Sequence, residues 1–148
     1  MGNLNERFSD RTFEGTEVRF LEMRGTGITG KWLFEMVDPS RNAGWFTSMS
    51  VLPNGNPVVS YSSVISQPVG AVKLAVRENN QWSLIDVDDI SVKHHVTTDR
   101  QGNIHFVYQK ASPIFSPTYP DGLHDLFYVS NISGSWVRTK IQEGGREN

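Results

Sequence analysis

The chain repeats one hairpin pattern three times, and this repeat limits what it can fold into. In each copy a strand-like segment is followed by a turn and then by a second strand-like segment that opens on a tryptophan; the copies occupy residues 18–37, 72–87 and 126–141. Their first residues, Val18, Val72 and Leu126, are spaced 54 residues apart. A period of this length is typical of repeat arrays and propellers. We therefore expect a repeat protein whose units bury their apolar faces against each other.

A second repeated unit lies between the hairpins and occurs twice, at residues 47–61 and 94–108. Superposing Gly55 on Gly102 also aligns Tyr61 with Tyr108, both at an offset of 47 residues. The turn in each copy contains the Gly and Asn that a tight turn with positive φ requires. The sequence thus predicts four strands per unit: A (about 46–52 and 93–99), B (57–63 and 104–110), C (72–77 and 126–130) and D (82–88 and 136–142).

Apolar residues recur at every second position in these segments, which favours strands over helices and predicts an all-β fold. The repeat domain is expected to span residues 18–142, in units 18–45, 46–88 and 92–142. Residues 1–17 form an N-terminal extension in which Arg7–Phe13 could supply a shortened strand B for an incomplete first unit. Residues 143–148 form a C-terminal tail.

A unit of four antiparallel strands whose last strand opens on Trp resembles a β-propeller blade. The turn Asp99-Arg100-Gln101-Gly102-Asn103 is similar to the D-x-x-G-N turn of sialidase-like and lectin-like propellers, and the likeness covers residues 18–142. The first copy departs from this pattern because Leu52 stands where the Asp is expected. In that family the turn is a folding device, so the resemblance implies architecture and not catalysis.

The number of units is too small for a closed propeller within one chain. Two and a half to three blades are present, whereas propellers close with about four to eight. Open terminal blades would leave sheet faces in water. We therefore expect a partial propeller completed by oligomerisation, with a homodimer of three-bladed chains favoured over a doubled 2.5-blade chain. A segment of a longer chain and a sandwich of two sheets are the alternatives.

Composition argues against several classes of partner. The net charge of −2 and the absence of a Lys/Arg cluster give no basic surface for nucleic acid or an anionic membrane. There is no cysteine, so no disulfide framework or thiolate metal site can form. Neither a signal peptide nor an apolar run of membrane-spanning length is visible. We expect a soluble protein, cytoplasmic by default, that needs no cofactor.

The tryptophans fall into two groups. Trp32, Trp82 and Trp136 recur at the start of strand D in each unit, and this repetition favours a role in packing over sugar stacking. Trp45 has no repeated counterpart and is expected in the connection between strands D and A. It is therefore a candidate ligand contact, with core packing as the alternative.

The longest irregular segment, residues 110–125, exceeds its counterpart at residues 62–71 by several residues. Loops that outgrow their repeat equivalents often carry function. The candidate ligand-binding residues in this region are Phe115, Tyr119, Asp121 and His124. A rigid surface loop over a blade edge is the alternative.

No catalytic or metal site can be assigned from the sequence. His94 and His95 are adjacent on a strand and point to opposite faces, and no acidic third ligand is placed beside them. A sialidase-like glycoside hydrolase would need paired carboxylates and an arginine cluster, whereas the arginines of this chain are scattered. We therefore expect a non-catalytic module for assembly or binding, with a glycan as a possible ligand. A hydrolase site shared between subunits and a purely structural subunit are the alternatives.

Overall fold

A computed structural model describes residues 18–24, 31–40, 43–66, 69–91, 93–111 and 124–143. No helix occurs in these ranges, and the all-β class is confirmed. The strands are β1 (Val18–Arg24), β2 (Lys31–Asp38), β3 (Ala43–Val51), β4 (Pro57–Ser66), β5 (Val69–Glu78), β6 (Gln81–Ser91), β7 (Lys93–Thr98), β8 (Ile104–Ala111), β9 (His124–Ser130) and β10 (Val137–Gln142). The strand expected at Arg7–Phe13 lies outside the described residues.

The strands form two four-stranded antiparallel sheets and one hairpin. β3 to β6 pair in sequence order in the first sheet, β7 to β10 do the same in the second, and β1 pairs with β2. These are the two sets of strands A to D that the repeat predicts. β3 begins three residues earlier than expected, at Ala43, so that Trp45 belongs to this strand and not to a connection. Neither sheet closes into a ring among the described residues.

The turns use the residues that their backbone geometry requires. Gly55 and Gly102 both have φ of 86°, a conformation that costs most side chains energy because Cβ crowds the backbone. Between β5 and β6, Asn79 and Asn80 have φ of 50° and 62°, as a type I′ hairpin turn requires. The turns at Gly55 and Gly102 are equivalent, one in each sheet, and each joins the first two strands of its sheet.

The three pieces stack face to face with the first sheet in the middle. One face of this sheet packs against the hairpin, where Val59 and Tyr61 contact a cluster containing Val18 and Val37. The other face packs against the second sheet in a larger cluster; its fully or nearly fully buried members are Val58, Val72, Leu74, Val76, Val96, Ile104, Phe106, Tyr108, Phe127 and Val129. The contact between the hairpin and the first sheet is called the first junction here, and the contact between the two sheets the second junction.

Candidate functional site

Each junction contains a buried tyrosine that bonds to an aspartate at the end of the preceding unit. The Tyr61 hydroxyl donates to Asp38 Oδ2 at 2.7 Å, and the Tyr108 hydroxyl donates to Asp88 Oδ2 at 2.7 Å. The tyrosines are the aligned pair of the sequence repeat, and the aspartates are 50 residues apart in β2 and β6. These aspartates are not evident from the hairpin repeat aligned at its first strand, although their spacing equals that of Trp32 and Trp82 and could reveal them.

Both carboxylates remain ionised at neutral pH although they are buried. Burial alone would raise the pKa of Asp88, but hydrogen bonds, chiefly from Lys110 and also from Tyr108, lower that pKa to about 2. The same balance holds the pKa of Asp38 below its usual range. Burial and the adjacent carboxylate raise the pKa of Tyr108 to about 12. These pairs therefore act as fixed charged links between units rather than as groups that exchange protons near neutrality.

Two of the three repeated tryptophans, Trp82 and Trp136, lie at these junctions, but in different surroundings. At the first junction the Trp82 ring packs edge-on against Phe20 at 5.5 Å, and its indole N–H donates to Glu35 Oε2 at 3.1 Å. Arg77 also donates to the Glu35 carboxylate. At the second junction Trp136 directly precedes β10 and is 39% exposed. It borders a groove of about 170 Å³, the Trp136 groove, lined by Ile85, Asp86, Val87, Val129, Trp136 and Arg138.

The outward face of the second sheet has no strand of the described chain over it. Cross-strand pairing places Val107 opposite Tyr128 and Val137 opposite Ser130 on this side. We call it the terminal face; its apolar and aromatic members are Val107, Leu126, Tyr128, Val137 and Ile141. Val107, Val137 and Ile141 are exposed. In the repeat, Leu126 and Tyr128 correspond to Val72 and Leu74, which are fully buried at the second junction.

A chain of polar side chains crosses the turn end of the terminal face. The Asp99 carboxylate accepts from the Asn103 side chain at 2.7 Å and lies 3.1 Å from His105 Nε2. The other ring nitrogen of His105 lies 2.6 Å from the Tyr128 hydroxyl. The hydrogen bond from the Asn103 amide is the main reason that the pKa of Asp99 falls to about 2. The aspartate that resembles the propeller turn thus fixes the turn and orients an imidazole.

His94 lies between the two sheets and was not identified as important from the sequence. Its ring nitrogens lie 3.0 Å from the Ser60 hydroxyl and 3.1 Å from the Ser62 hydroxyl, both on β4. Because a hydroxyl can donate or accept, these serines satisfy the neutral ring. Burial, with a smaller contribution from His95, lowers the pKa of His94 to about 4. The ring is therefore neutral at physiological pH.

The structure places two of the five candidate ligand-binding residues. Trp45 lies on β3 and is 37% exposed, next to Phe46, which is also exposed. His124 opens β9 in the other sheet, and its buried Nδ1 has no hydrogen-bond partner among the described residues. No ring contact or hydrogen bond joins Trp45 to His124 in the part of the chain that the structure describes. Phe115, Tyr119 and Asp121 lie outside the described residues.

The backbone around Trp45 departs from regular strand geometry. Pairing between β3 and β4 shifts register on both sides of Trp45. Gly44 has φ of 105°, and Phe46 has φ of 54°, which is a left-handed conformation rare for a bulky residue. A bulge of this kind turns side chains out of the sheet. It accounts for two adjacent aromatic residues being exposed on one strand.

Across the described ranges, no three His, Cys, Asp or Glu side chains converge to form a place for a metal ion. The same ranges contain no helix with the length and hydrophobicity needed to cross a membrane.

Comparison with known proteins does not connect the chain to a described family. No protein-family model matches it, and no curated protein is significantly similar to it.

Proposed function

We propose that this chain is an assembly module built from propeller-type sheets, and that it associates with a second copy of itself through the open ends of its stack. The terminal face is the observation that supports this proposal. Side chains equivalent to Leu126 and Tyr128 are fully buried where one sheet covers the next, whereas here no described strand covers them. Val107, Val137 and Ile141 are exposed on the same face, and clustered exposed apolar residues are typical of a protein contact.

The opposite end of the stack supplies a complementary surface. Phe34 and Met36 lie on the same side of β2 and are both exposed. A contact between the terminal face of one copy and the hairpin of another joins two different surfaces. Contacts of this kind form a closed ring when the rotations that relate successive copies add up to a full turn. Two copies meeting in this way twice would close a propeller-type ring.

The mass in solution tests this proposal. Light scattering over a range of protein concentrations is expected to give about twice the monomer mass of 16.7 kDa at high concentration. Ile141→Lys, on the terminal face, should shift the protein to the monomer. Ile132→Lys is the matched control because Ile132, in the turn between β9 and β10, is equally exposed, at 57% against 55%. A monomer at all concentrations, or equal effects of both variants, would contradict the proposal.

Carbohydrate binding is a second candidate function, supported by the exposed pair Trp45 and Phe46. An aromatic ring held outside a sheet by a bulge offers a flat apolar surface of the type on which a sugar ring can stack. A glycan array followed by calorimetry tests this candidate. Trp45→Ala should abolish binding and Met49→Ala, an exposed position on the same strand, should retain it. If no glycan binds the unmodified protein, this candidate is wrong.

A further inference from the structure

The two junctions place a tryptophan at the same repeat position, but only one of these residues has an acceptor. At the first junction the Glu35 carboxylate is held by the Trp82 indole N–H and by Arg77. The residue that corresponds to Glu35 at the second junction is Ile85, 50 residues later, as Asp88 is to Asp38. An isoleucine cannot accept a hydrogen bond. Among the described residues, the Trp136 indole N–H consequently has no acceptor.

The space beside Trp136 is open rather than filled. The Trp136 groove has a volume of about 170 Å³, close to the size of one amino-acid side chain, and its walls include Ile85, Val87 and Val129. Trp136 and Arg138 both line this groove, so it is bordered by the two residue types that hold the Glu35 carboxylate at the first junction, with the arginine on β10 rather than on the strand of Arg77. The groove thus combines an arginine and a tryptophan without a carboxylate equivalent to Glu35.

The acidic groups near the groove are already paired. Asp88 accepts from Lys110 at 2.7 Å and from Arg138 Nη1 at 3.0 Å. Asp86, which is largely in solvent, pairs with Lys73 at 3.4 Å. Arg138 Nη2 and Nε have no partner among the described residues, and the side chain is half exposed. The guanidinium can therefore pair with an incoming anion without leaving Asp88.

We propose that the Trp136 groove binds a carboxylate carried on a short apolar stem. The carboxylate takes the place that Glu35 occupies at the first junction and accepts from Trp136 and Arg138, while the stem contacts Ile85 and Val129. A charge-assisted pair with a planar guanidinium favours a carboxylate over a neutral acceptor. The ligand is either a free short-chain carboxylic acid or the glutamate side chain of another polypeptide. This inference does not depend on the proposed self-association.

Nuclear magnetic resonance of the tryptophan indole N–H groups tests the proposal on the unmodified chain. Butyrate and a blocked tripeptide with a central glutamate are titrated separately, with butyramide as the uncharged control. The Trp136 resonance, assigned by its loss in Trp136→Phe, should shift saturably with at least one acid. The Trp82 resonance serves as an internal control and should not move, because Glu35 already occupies its site. A response to butyrate assigns the site to free acids, and a response to the tripeptide alone assigns it to a protein partner.

Two variants identify the groups that hold the carboxylate. Ile85→Glu supplies a carboxylate from within the chain and should abolish the response, whereas Ile85→Leu should retain it. Arg138→Gln should raise the dissociation constant about fivefold, the size expected for a partly exposed ion pair. The proposal is overturned if neither acid shifts Trp136, if butyramide shifts it equally, or if Arg138→Gln binds unchanged.

Discussion

The half-buried imidazole of His94 makes the stability of the fold dependent on pH in a defined range. In the folded protein the pKa of His94 is lowered from 6.5 to about 4 because the ring is buried between the sheets. In the unfolded chain the ring titrates near its ordinary value. Between pH 6.5 and 4 the unfolded state therefore binds a proton that the folded state does not. Linkage then requires stability to fall as the pH is lowered through this range.

The size of this effect follows from the pKa difference. A shift from 6.5 to about 4 corresponds to about 3 kcal/mol, since one pH unit is worth about 1.4 kcal/mol. Because part of the ring is in solvent, screening reduces this to about 1–2 kcal/mol. The ionisable neighbour of His94 is the adjacent His95, whose charge contributes to the shift; the other groups that face the ring do not titrate in the same window. Ser60 and Ser62 are neutral, and the pKa of Tyr108, opposite His94 in the sheet, is about 12.

Urea unfolding at pH 6.5, 5.5 and 4.5 measures the effect. The free energy of unfolding should fall over this range in the unmodified protein and remain nearly constant in His94→Gln, which keeps polar groups near both serines without a titrating ring. His95→Gln is the matched control, and it should retain most of the fall because His95 is exposed and contributes less to the shift. Equal falls in the unmodified protein and in His94→Gln would refute the reasoning, as would a gain in stability at low pH.

The junction links give two further expectations for the same measurement at pH 7. Tyr61→Phe should cost more stability, about 2–3 kcal/mol, than Tyr108→Phe, about 1–2 kcal/mol. Asp88 keeps two short cation contacts, whereas the nearest cation to Asp38 in the described ranges is 3.9 Å away. An equal or reversed order would contradict this account. Glu35→Gln should cost about 2–4 kcal/mol because it leaves a buried guanidinium without its charged partner. A Glu35→Gln variant as stable as the unmodified chain would show that this ion pair contributes little.

The strands and turns could be predicted from the sequence because their signals are local. Alternating apolar residues and the Gly-Asn turns at Gly55 and Gly102 place β3 to β10 close to their observed positions. The bulge at Trp45 could not be predicted, since nothing in an aromatic residue indicates that Phe46 has positive φ. That conformation depends on how β3 meets β4, which is a tertiary effect.

The candidate sites were harder to predict from the sequence because they depend on which units face each other. Tyr61 and Tyr108 were recognised as a repeated pair, but their partners lie in the preceding units, across the junctions. The Trp136 groove was hidden for a related reason. At the position where the first unit has Glu35, the second unit has Ile85. The first hairpin is four residues longer than the second, so these two positions match only when the repeats are aligned by their tryptophans. Alignment by the first strand alone therefore conceals that position.

The chemistry of the terminal face limits how tightly copies of the chain can associate. In the third unit, Gln142 occupies the position that Asp38 and Asp88 occupy in the first two units. Its side chain is exposed and uncharged. A hydrogen-bond donor from another copy would meet a neutral acceptor there, and such a bond is about half as strong as one to a carboxylate. His105 also stands on this face where the internal junction has the buried Val58. A partly polar interface is typical of subunits that are also stable as monomers. The proposed dimer should therefore dissociate on dilution without unfolding.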